Sequence, residues 1–311
     1  MAGVAYGQGN TTSWPQKPIR WVIPYTPGGL TDSVTRMTLQ KLQENTGWTI
    51  VLDNKPGANS LLGSELVARA QPDGYTFLTV LAAHAANATL YAGRTSFDPV
   101  KSFAPVSLVG TTPLILTASN SFPAKDAKEL IEYAKQKPGE LNYGSVGVGS
   151  SQHLAGVYFE QVTGTKLTHV AYRNIANYTP DLIAGQVPLG FSWYPNVVAA
   201  LNANGAKALA VAAKTQLAAL PNVPTTAEAG LPDYVASGIF SMLAPAGTPK
   251  EVIDKINAEM MAASKDPTVQ SRFRDQGAEP TVTTPEELAR IIKEDNAKWI
   301  GIIQKAGMQP Q

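Results

Sequence analysis

Short apolar strands alternate with amphipathic helices along almost the whole chain, and this alternation constrains the fold more than any other feature. A strand predicted over residues 19–24 is followed by a Pro-Gly-Gly turn and a helix from about Thr31. Further strands are predicted at 48–52 and 75–81, with a helix near 60–70 between them. Strand–helix alternation of this kind is typical of α/β folds.

The helices are predicted from apolar residues that recur at i, i+3, i+4 and i+7. One such stripe lies within 127–134 and stops at Pro138-Gly139. Another runs from Leu288 to Ile303, after Thr284-Pro285 as cap and first-turn proline. The stripes are predicted to face the core, and none of them matches a cofactor-binding motif.

Two segments are predicted to cross between two lobes. The first is residues 103–118, interrupted at Thr111-Thr112-Pro113, and the second is 235–245. Lobe 1 would then hold residues 14–110 and 240–311, and lobe 2 would hold residues 111–239. Two crossovers make a hinge, and ligands usually bind in the cleft between such lobes.

Composition excludes several classes of function. The net charge of the 311 residues is +1, so no broad positive field would attract nucleic acid or anionic lipid. The chain has no cysteine, which excludes disulfides, thiolate catalysis and cysteine metal sites. The histidines at 84, 153 and 169 lack the spacing of metal ligands, so neither a metal nor a cofactor is predicted. His84 follows a strand at the edge that faces ligands, where it would contact the ligand or pack a loop.

The loop over residues 25–32 follows a strand and opens a helix. Its two glycines allow backbone N–H groups to converge, and the helix N-terminus adds partial positive charge, so the loop suits an anion. The alternative is a plain turn capped by Thr31 or Asp32. The candidate ligand residues here are Tyr25, Thr26, Gly28, Gly29, Thr31 and Asp32.

A second glycine-bearing loop, residues 143–153, also precedes a helix. Its glycines follow the order G-x-x-G-x-G, which is neither a dinucleotide fingerprint nor a P-loop. Alone it would be a flexible linker, whereas opposite the first loop it would complete a carboxylate clamp. The candidate ligand residues here are Ser145, Val148, Gly149, Ser150 and Ser151.

Residues 190–194 come close to the G-x-S-x-G elbow of serine hydrolases. Tyr194 stands where that tight turn needs glycine, which argues against a hydrolase. No other nucleophile–base pattern is evident, so the chain is not expected to be an enzyme.

At this point the motifs resemble those of a known family. The sequence is similar to the Bug-type solute-binding proteins of tripartite tricarboxylate transporters, nearly throughout and in order. The matching segments are residues 14–20, 24–29, 54–58, 70–76, 143–153, 181–187, 220–225 and 244–249.

The resemblance implies a two-lobed type II periplasmic-binding-protein fold with two hinge crossovers. It also implies a periplasmic location, no catalysis and no cofactor. Its partners would be a small carboxylate and the membrane permease subunits of the transporter, with no nucleic acid, and the protein would be a monomer. In the family, loops like 26–32 and 145–151 hold one carboxylate through backbone amides, hydroxyls and waters. Residues 1–10 lack the pattern of a signal peptide and are expected to be a processed or engineered terminus.

Two departures from the family pattern suggest the ligand. Arg173-Asn174 replaces a Lys-Gly-like stretch, and Ser192-Trp193 stands where an aspartate and a small residue are common. Arg173 offers a planar fork for a second carboxylate, and Trp193 or Tyr194 could stack on a ring. The preferred ligand is therefore an aromatic dicarboxylate such as terephthalate. The alternatives are an aliphatic di- or tricarboxylate or an aromatic monocarboxylate, with Trp193 and Tyr194 packing the hinge and Arg173 in solvent or paired with Asp181.

Overall fold

The computed structural model describes residues 14–81, 83–91 and 93–309, without the side chains of residues 83–85 and 88. The expectation of a processed or engineered terminus at residues 1–10 falls outside these ranges. Within them the chain forms ten strands: β1 Ile19–Ile23, β2 Ile50–Asn54, β3 Thr76–Val80, β4 Phe103–Pro113, β5 Ile115–Ser119, β6 Asn142–Ser145, β7 Thr168–Ala171, β8 Leu189–Ser192, β9 Ala206–Val211 and β10 Ser237–Pro245. The same ranges hold ten helices: α1 Leu30–Thr46, α2 Leu61–Ala68, α3 Ala83–Leu90, α4 Ala127–Gln136, α5 Ser151–Thr163, α6 Ile175–Ala184, α7 Tyr194–Asn202, α8 Lys250–Ala263, α9 Pro267–Asp275 and α10 Pro285–Lys305.

The strands form two five-stranded sheets with the same design. The first sheet has the order β2-β1-β3-β10-β4, and the second has the order β7-β6-β8-β5-β9. In each sheet the first three strands of this order are parallel. The fourth strand is antiparallel to the third, and the fifth is antiparallel to the fourth. The predicted two-lobed α/β fold is confirmed.

The two crossing segments run side by side. The predicted interruption at Thr111–Pro113 is wrong, because those residues continue β4 and pair with the start of β10. The break comes at Leu114, whose N–H donates to the carbonyl of Ala236 at 2.9 Å. Because β4 and β10 pair along their whole length, the exact lobe limits stay a prediction.

Local signals explain most helix limits. Thr284 caps α10 by accepting a hydrogen bond from the Glu287 N–H, as its sequence predicts. Helix α1 ends at Gly47, whose φ of 73° is left-handed. Strand β2 begins at Ile50 rather than at Trp48, because its partner β1 begins at Ile19, which is aligned with Ile50.

Helix α10 belongs to the cores of both lobes. Its N-terminal half covers the first sheet through Leu288, whereas Trp299 and Ile303 form a cluster with Leu154 of α5 and Leu90 of α3. Gln161 of α5 also donates to the carbonyl of Ile302 at 2.8 Å. The lobes are therefore joined by a third element besides the two crossing strands.

Candidate functional site

The candidate site lies where the carboxyl ends of two sets of parallel strands meet. Strands β1, β2 and β3 end at one edge of the first sheet, and β6, β7 and β8 end at one edge of the second. Loops at such edges carry the ligands of open α/β sheets. Asn59 Nδ2, after β2, donates to the carbonyl of Gly149, after β6, at 3.2 Å. The two edges therefore face each other across a cleft.

In the first loop, Asp32 fixes the backbone instead of presenting its charge to the cleft. It is 2% exposed and accepts hydrogen bonds from Gly28 N–H, Arg36 Nε and Asn54 Nδ2, each at 2.8 Å. Burial alone would raise the pKa of Asp32, but these hydrogen bonds outweigh burial and lower it. The Gly28 N–H, which was predicted to bind an anionic ligand, therefore donates to Asp32 instead.

The two glycines of this loop have different roles. Gly28 has a φ of 78°, which favours glycine, whereas Gly29 has an ordinary φ of −72° and is the N-cap of α1. The alternative in which Thr31 or Asp32 caps the helix is therefore wrong. The first intrahelical bond runs from Ser33 N–H to Gly29 carbonyl, so the N–H groups of Leu30, Thr31 and Asp32 precede it. Gly29 has no side-chain oxygen to cap them, which leaves donors for a carboxylate at a helix N-terminus.

Tyr25 joins the first loop to the end of β3, while Thr26 is exposed and its carbonyl accepts from Gly29 N–H at 3.3 Å. The Tyr25 hydroxyl accepts from Leu81 N–H at 3.0 Å and also contacts the Ser60 side chain. Burial raises the pKa of Tyr25, so its phenol stays protonated. Because Leu81 already donates to the oxygen, the phenol proton is available to Ser60 or to a ligand.

The second loop is held rigid by two histidines. Gly149 N–H donates to Nδ1 of His153 at 3.1 Å, and Ser145 Oγ lies 2.6 Å from Nε2 of His169. The two imidazole centroids are 4.1 Å apart. Burial, together with the neighbouring His169, lowers the pKa of His153 to about 4. His153 is therefore neutral near pH 7 and carries its proton on Nε2, because Nδ1 accepts.

Two of the serines predicted as ligand donors serve the loop itself. Ser145 is fully buried and accepts from Gly147 N–H at 3.1 Å, and Ser150 caps α5 by accepting from His153 N–H. Ser151 is half-buried, and its hydroxyl forms no hydrogen bond with another described residue. Val148 is 43% exposed, which gives the loop an apolar surface.

Ser145 and His169 have the spacing of a nucleophile and its base, which the sequence did not reveal. Ser145 is inaccessible to a substrate at 0% exposure, however, and the described contacts of His169 include no carboxylate that would orient it. No group of three or more potential metal ligands occurs in the described part of the chain.

Among the remaining candidate residues, one has a side chain without a described partner, and the others form contacts within the protein. Arg173 is exposed after β7, and no described side chain forms an ion pair or hydrogen bond with it. Asn174 caps α6 by accepting from Asn177 N–H, and buried Ser192 lies 3.3 Å from Thr117 Oγ1. Asp181, the predicted alternative partner of Arg173, instead accepts from the Tyr172 hydroxyl at 2.5 Å.

Trp193 and Tyr194, which follow β8, pack against different parts of the protein. Trp193 is 9% exposed, and a Cβ built on Gly238 of β10 would lie 2.9 Å from its ring, so part of the indole packs at the crossing strands. Tyr194 packs against Gly277 beyond α9. His84 lies in α3, and its side chain is outside the described residues.

Sequence reasoning missed Asn59, Asn87 and the role of His169. The loop that carries Asn59 follows a parallel strand, so applying the strand-end rule to β2 would have found it. The His169 contact depends on the pairing of β6 with β7, which no local pattern encodes.

The chain is similar to one known protein family and to several solved structures. The family model "Tripartite tricarboxylate transporter family receptor" matches residues 34–308. The structure of the periplasmic binding protein BugD is similar with a TM-score of 0.82 and 33% identity, covering 96% of this chain and 100% of that one. A Rhodopseudomonas palustris protein solved with adipate gives 0.85 and 33%, over 96% and 100% of the two chains. MatC of the same organism, with bound malate, gives 0.81 and 30%, over 93% and 100%.

Among the described helices, none is long and apolar enough to cross a membrane.

Proposed function

Given that the chain belongs to the tripartite tricarboxylate transporter receptor family, we propose that it captures a small carboxylate in the cleft between its two sheets. It then delivers the carboxylate to the membrane permease subunits of such a transporter. The protein acts in the periplasm, as a monomer and without turnover, cofactor or nucleic acid.

The observation that carries this proposal is the approach of two donor-bearing loops from opposite lobes. The first turn of α1 offers N–H groups from one edge. The loop of Gly149 belongs to the other edge and lies against Asn59 of the first. A carboxylate between them would gain neutral backbone donors that replace its hydration. The net charge of +1 means that attraction must come from such local dipoles.

The proposed ligand is an aromatic dicarboxylate such as terephthalate. One carboxylate sits in the clamp formed by the N–H of Thr31 and the hydroxyl of Ser151, beside Gly149, with Tyr25 and His84 near it. The other carboxylate meets Arg173. In favour of this, Arg173 is exposed at the same edge as the second loop and has no described partner. The accessible part of the Trp193 ring stacks on the ligand, a contact worth about 0.5–1.5 kcal/mol beyond burial.

An aliphatic dicarboxylate is the second candidate, because the related R. palustris structures hold adipate and malate. Adipate and terephthalate both separate their carboxylates by a path of four carbons, so both could bridge the clamp and Arg173. Malate has a shorter path. The choice between ring and chain therefore depends on the apolar and aromatic walls of the cleft, not on charge.

Titration calorimetry with terephthalate, adipate, benzoate, malate and citrate tests the proposal. We expect terephthalate to bind most tightly and benzoate to bind weakly, since it lacks the second carboxylate. Binding of adipate or citrate without terephthalate would reject the aromatic assignment and keep the carboxylate function. Binding of none of these acids would reject the function for this class. Esters of the same acids, incubated with the protein, should yield no product.

Replacing Arg173 tests its assignment to the distal carboxylate. We expect Arg173→Ala to weaken terephthalate binding by about 10- to 100-fold, as for a charge-assisted hydrogen bond, and to leave benzoate almost unchanged. Arg290→Ala is the matched control, because Arg290 lies exposed on α10 and pairs with Glu294. Equal losses for the two acids would show that Arg173 does not reach the second carboxylate.

A further inference from the structure

The segment that places Asn59 at the cleft has an unusual backbone. Ala58, Asn59 and Ser60 have φ values of 47°, 51° and 75°, so three successive residues other than glycine are left-handed. Each such residue costs about 1 kcal/mol or more, and such conformations persist only where surrounding contacts enforce them. Asparagine tolerates this region better than most residues.

Asn87 provides the contacts that enforce this backbone. Asn87 Nδ2 donates to the carbonyl of Asn59 at 2.8 Å and to Ser60 Oγ at 3.4 Å. Asn87 Oδ1 in turn accepts from Asn59 Nδ2 at 2.9 Å. Because Asn87 is fully buried, these bonds fix the orientation of the Asn59 amide from the side of the first lobe.

The second amide proton of Asn59 reaches the opposite lobe. It is donated to the carbonyl of Gly149, whose own N–H is held by His153. Gly149 has a φ of 79°, and a Cβ built there would lie 2.8 Å from Leu90 Cδ1. The peptide that Asn59 contacts is thus a fixed part of the loop proposed to hold the carboxylate.

We infer that Asn59 is a latch that fastens the two lobes over the bound ligand and sets how long the ligand stays. This inference rests on the proposed function and extends it to the closure of the same site. Asn59 is a positioning residue: it acts through the Gly149 loop and needs no contact with the carboxylate. It slows opening of the cleft, and therefore affects dissociation more than association.

Two substitutions remove the latch and keep the main-chain carbonyl of residue 59 as the acceptor for Asn87 Nδ2. Asn59→Gly deletes the amide, and glycine adopts a φ near +51° freely. Asn59→Asp keeps the shape but replaces the donor by an oxygen that faces both the Gly149 carbonyl and Asn87 Oδ1. Asn45→Asp is the matched control for charge, since Asn45 lies exposed on α1.

Stopped-flow measurements with terephthalate give the first readout. We expect Asn59→Gly to accelerate dissociation about 2- to 10-fold, the value of one neutral hydrogen bond, with association changed less than about twofold. Asn59→Asp should accelerate it further, and Asn45→Asp should match the parent protein. Unchanged dissociation in both Asn59 variants would overturn the latch if terephthalate binds.

A second readout needs no ligand, so it separates the latch from the proposed function. The chain has no cysteine, and spin labels can be placed uniquely at Lys135→Cys on α4 and Ala258→Cys on α8, both exposed. We expect either Asn59 substitution to shift the distances between the labels in the free protein toward longer values. Unaltered distances with a lowered melting temperature would show a purely structural role and overturn the latch. If no acid binds, the proposed function fails and these distances alone decide the latch.

Discussion

Several polar residues at the cleft form hydrogen bonds within their own loops. Asp32 fixes Gly28, His153 fixes Gly149, and Ser150 caps α5. Side chains of this kind are indistinguishable in sequence from ligand contacts, because both follow a strand and precede a helix. The sequence therefore predicted two loops that the structure places at facing sheet edges, but it could not divide their residues between these two tasks.

His153 predicts a specific acid sensitivity. Its pKa is about 4 in the folded protein, below the ordinary value of 6.5, so the unfolded chain binds more protons between these pH values. The free energy of unfolding that His153 contributes is complete above pH 6.5 and is lost as pH falls through about 4.

The variant His153→Asn tests this contribution, since an amide oxygen can still accept from Gly149 N–H without titrating. We expect its urea-unfolding free energy to fall less than that of the parent protein between pH 7 and pH 4, by up to about 3 kcal/mol. Titrating groups away from His153, such as Asp295, whose burial raises its pKa to about 6, cancel in this difference. Parallel curves for the two proteins would show that His153 is not the sensitive group.

At the scale of elements, two helical glycines with opposite surroundings give a matched pair. Gly156 lies in α5, where a Cβ would stand 2.3 Å from the ring of buried Tyr143. Gly301 lies in α10, and nothing described lies within 4 Å of its Cβ position. Both substitutions by alanine gain helix propensity, but only Gly156→Ala adds an atom to a filled core.

We expect Gly301→Ala to stabilise the protein by about 0.5–1 kcal/mol and Gly156→Ala to destabilise it by about 1–3 kcal/mol. Urea midpoints at constant m-value give both numbers. If Gly156→Ala stabilised the protein as well, the contact of α5 with Tyr143 would be looser than described.

Elements with local signals were predictable, and those that depend on partners were not. Thr284-Pro285 predicts the start of α10, and Gly164, with a φ of 66°, marks the end of α5. The break at Leu114 has no such signal, because it is set by pairing of β4 with a strand more than a hundred residues away. The packing of α10 was also not predictable, because its apolar stripe does not indicate that the helix packs against both lobes.

At the scale of the whole molecule, the two-lobed fold followed from strand–helix alternation with two long β segments. The balance of charge leads to one further expectation. Because the net charge is +1, long-range steering of a dianion is small, and its attraction is confined to the cleft.

We therefore expect the association rate of terephthalate to change less than about threefold between about 0.05 and about 0.5 M salt. Stopped-flow traces at constant pH measure this association rate. Mixing the protein with arabinose, which is neutral and not expected to bind, gives the signal that viscosity and mixing alone produce at each salt concentration. A fall of tenfold or more would point to a basic surface that guides the ligand from a distance.

The order of strands in the first sheet also governs how the chain can be built. Strand β10 lies between β3 and β4, although it comes from residues 237–245. During synthesis from the N-terminus, the edges of β3 and β4 therefore stay unpaired until Pro245 has been added. The second sheet is already complete at Val211. Unfinished edges are where nascent chains aggregate or are cleaved. The lobe made first is therefore the last to mature, and it is the one that needs protection along the way.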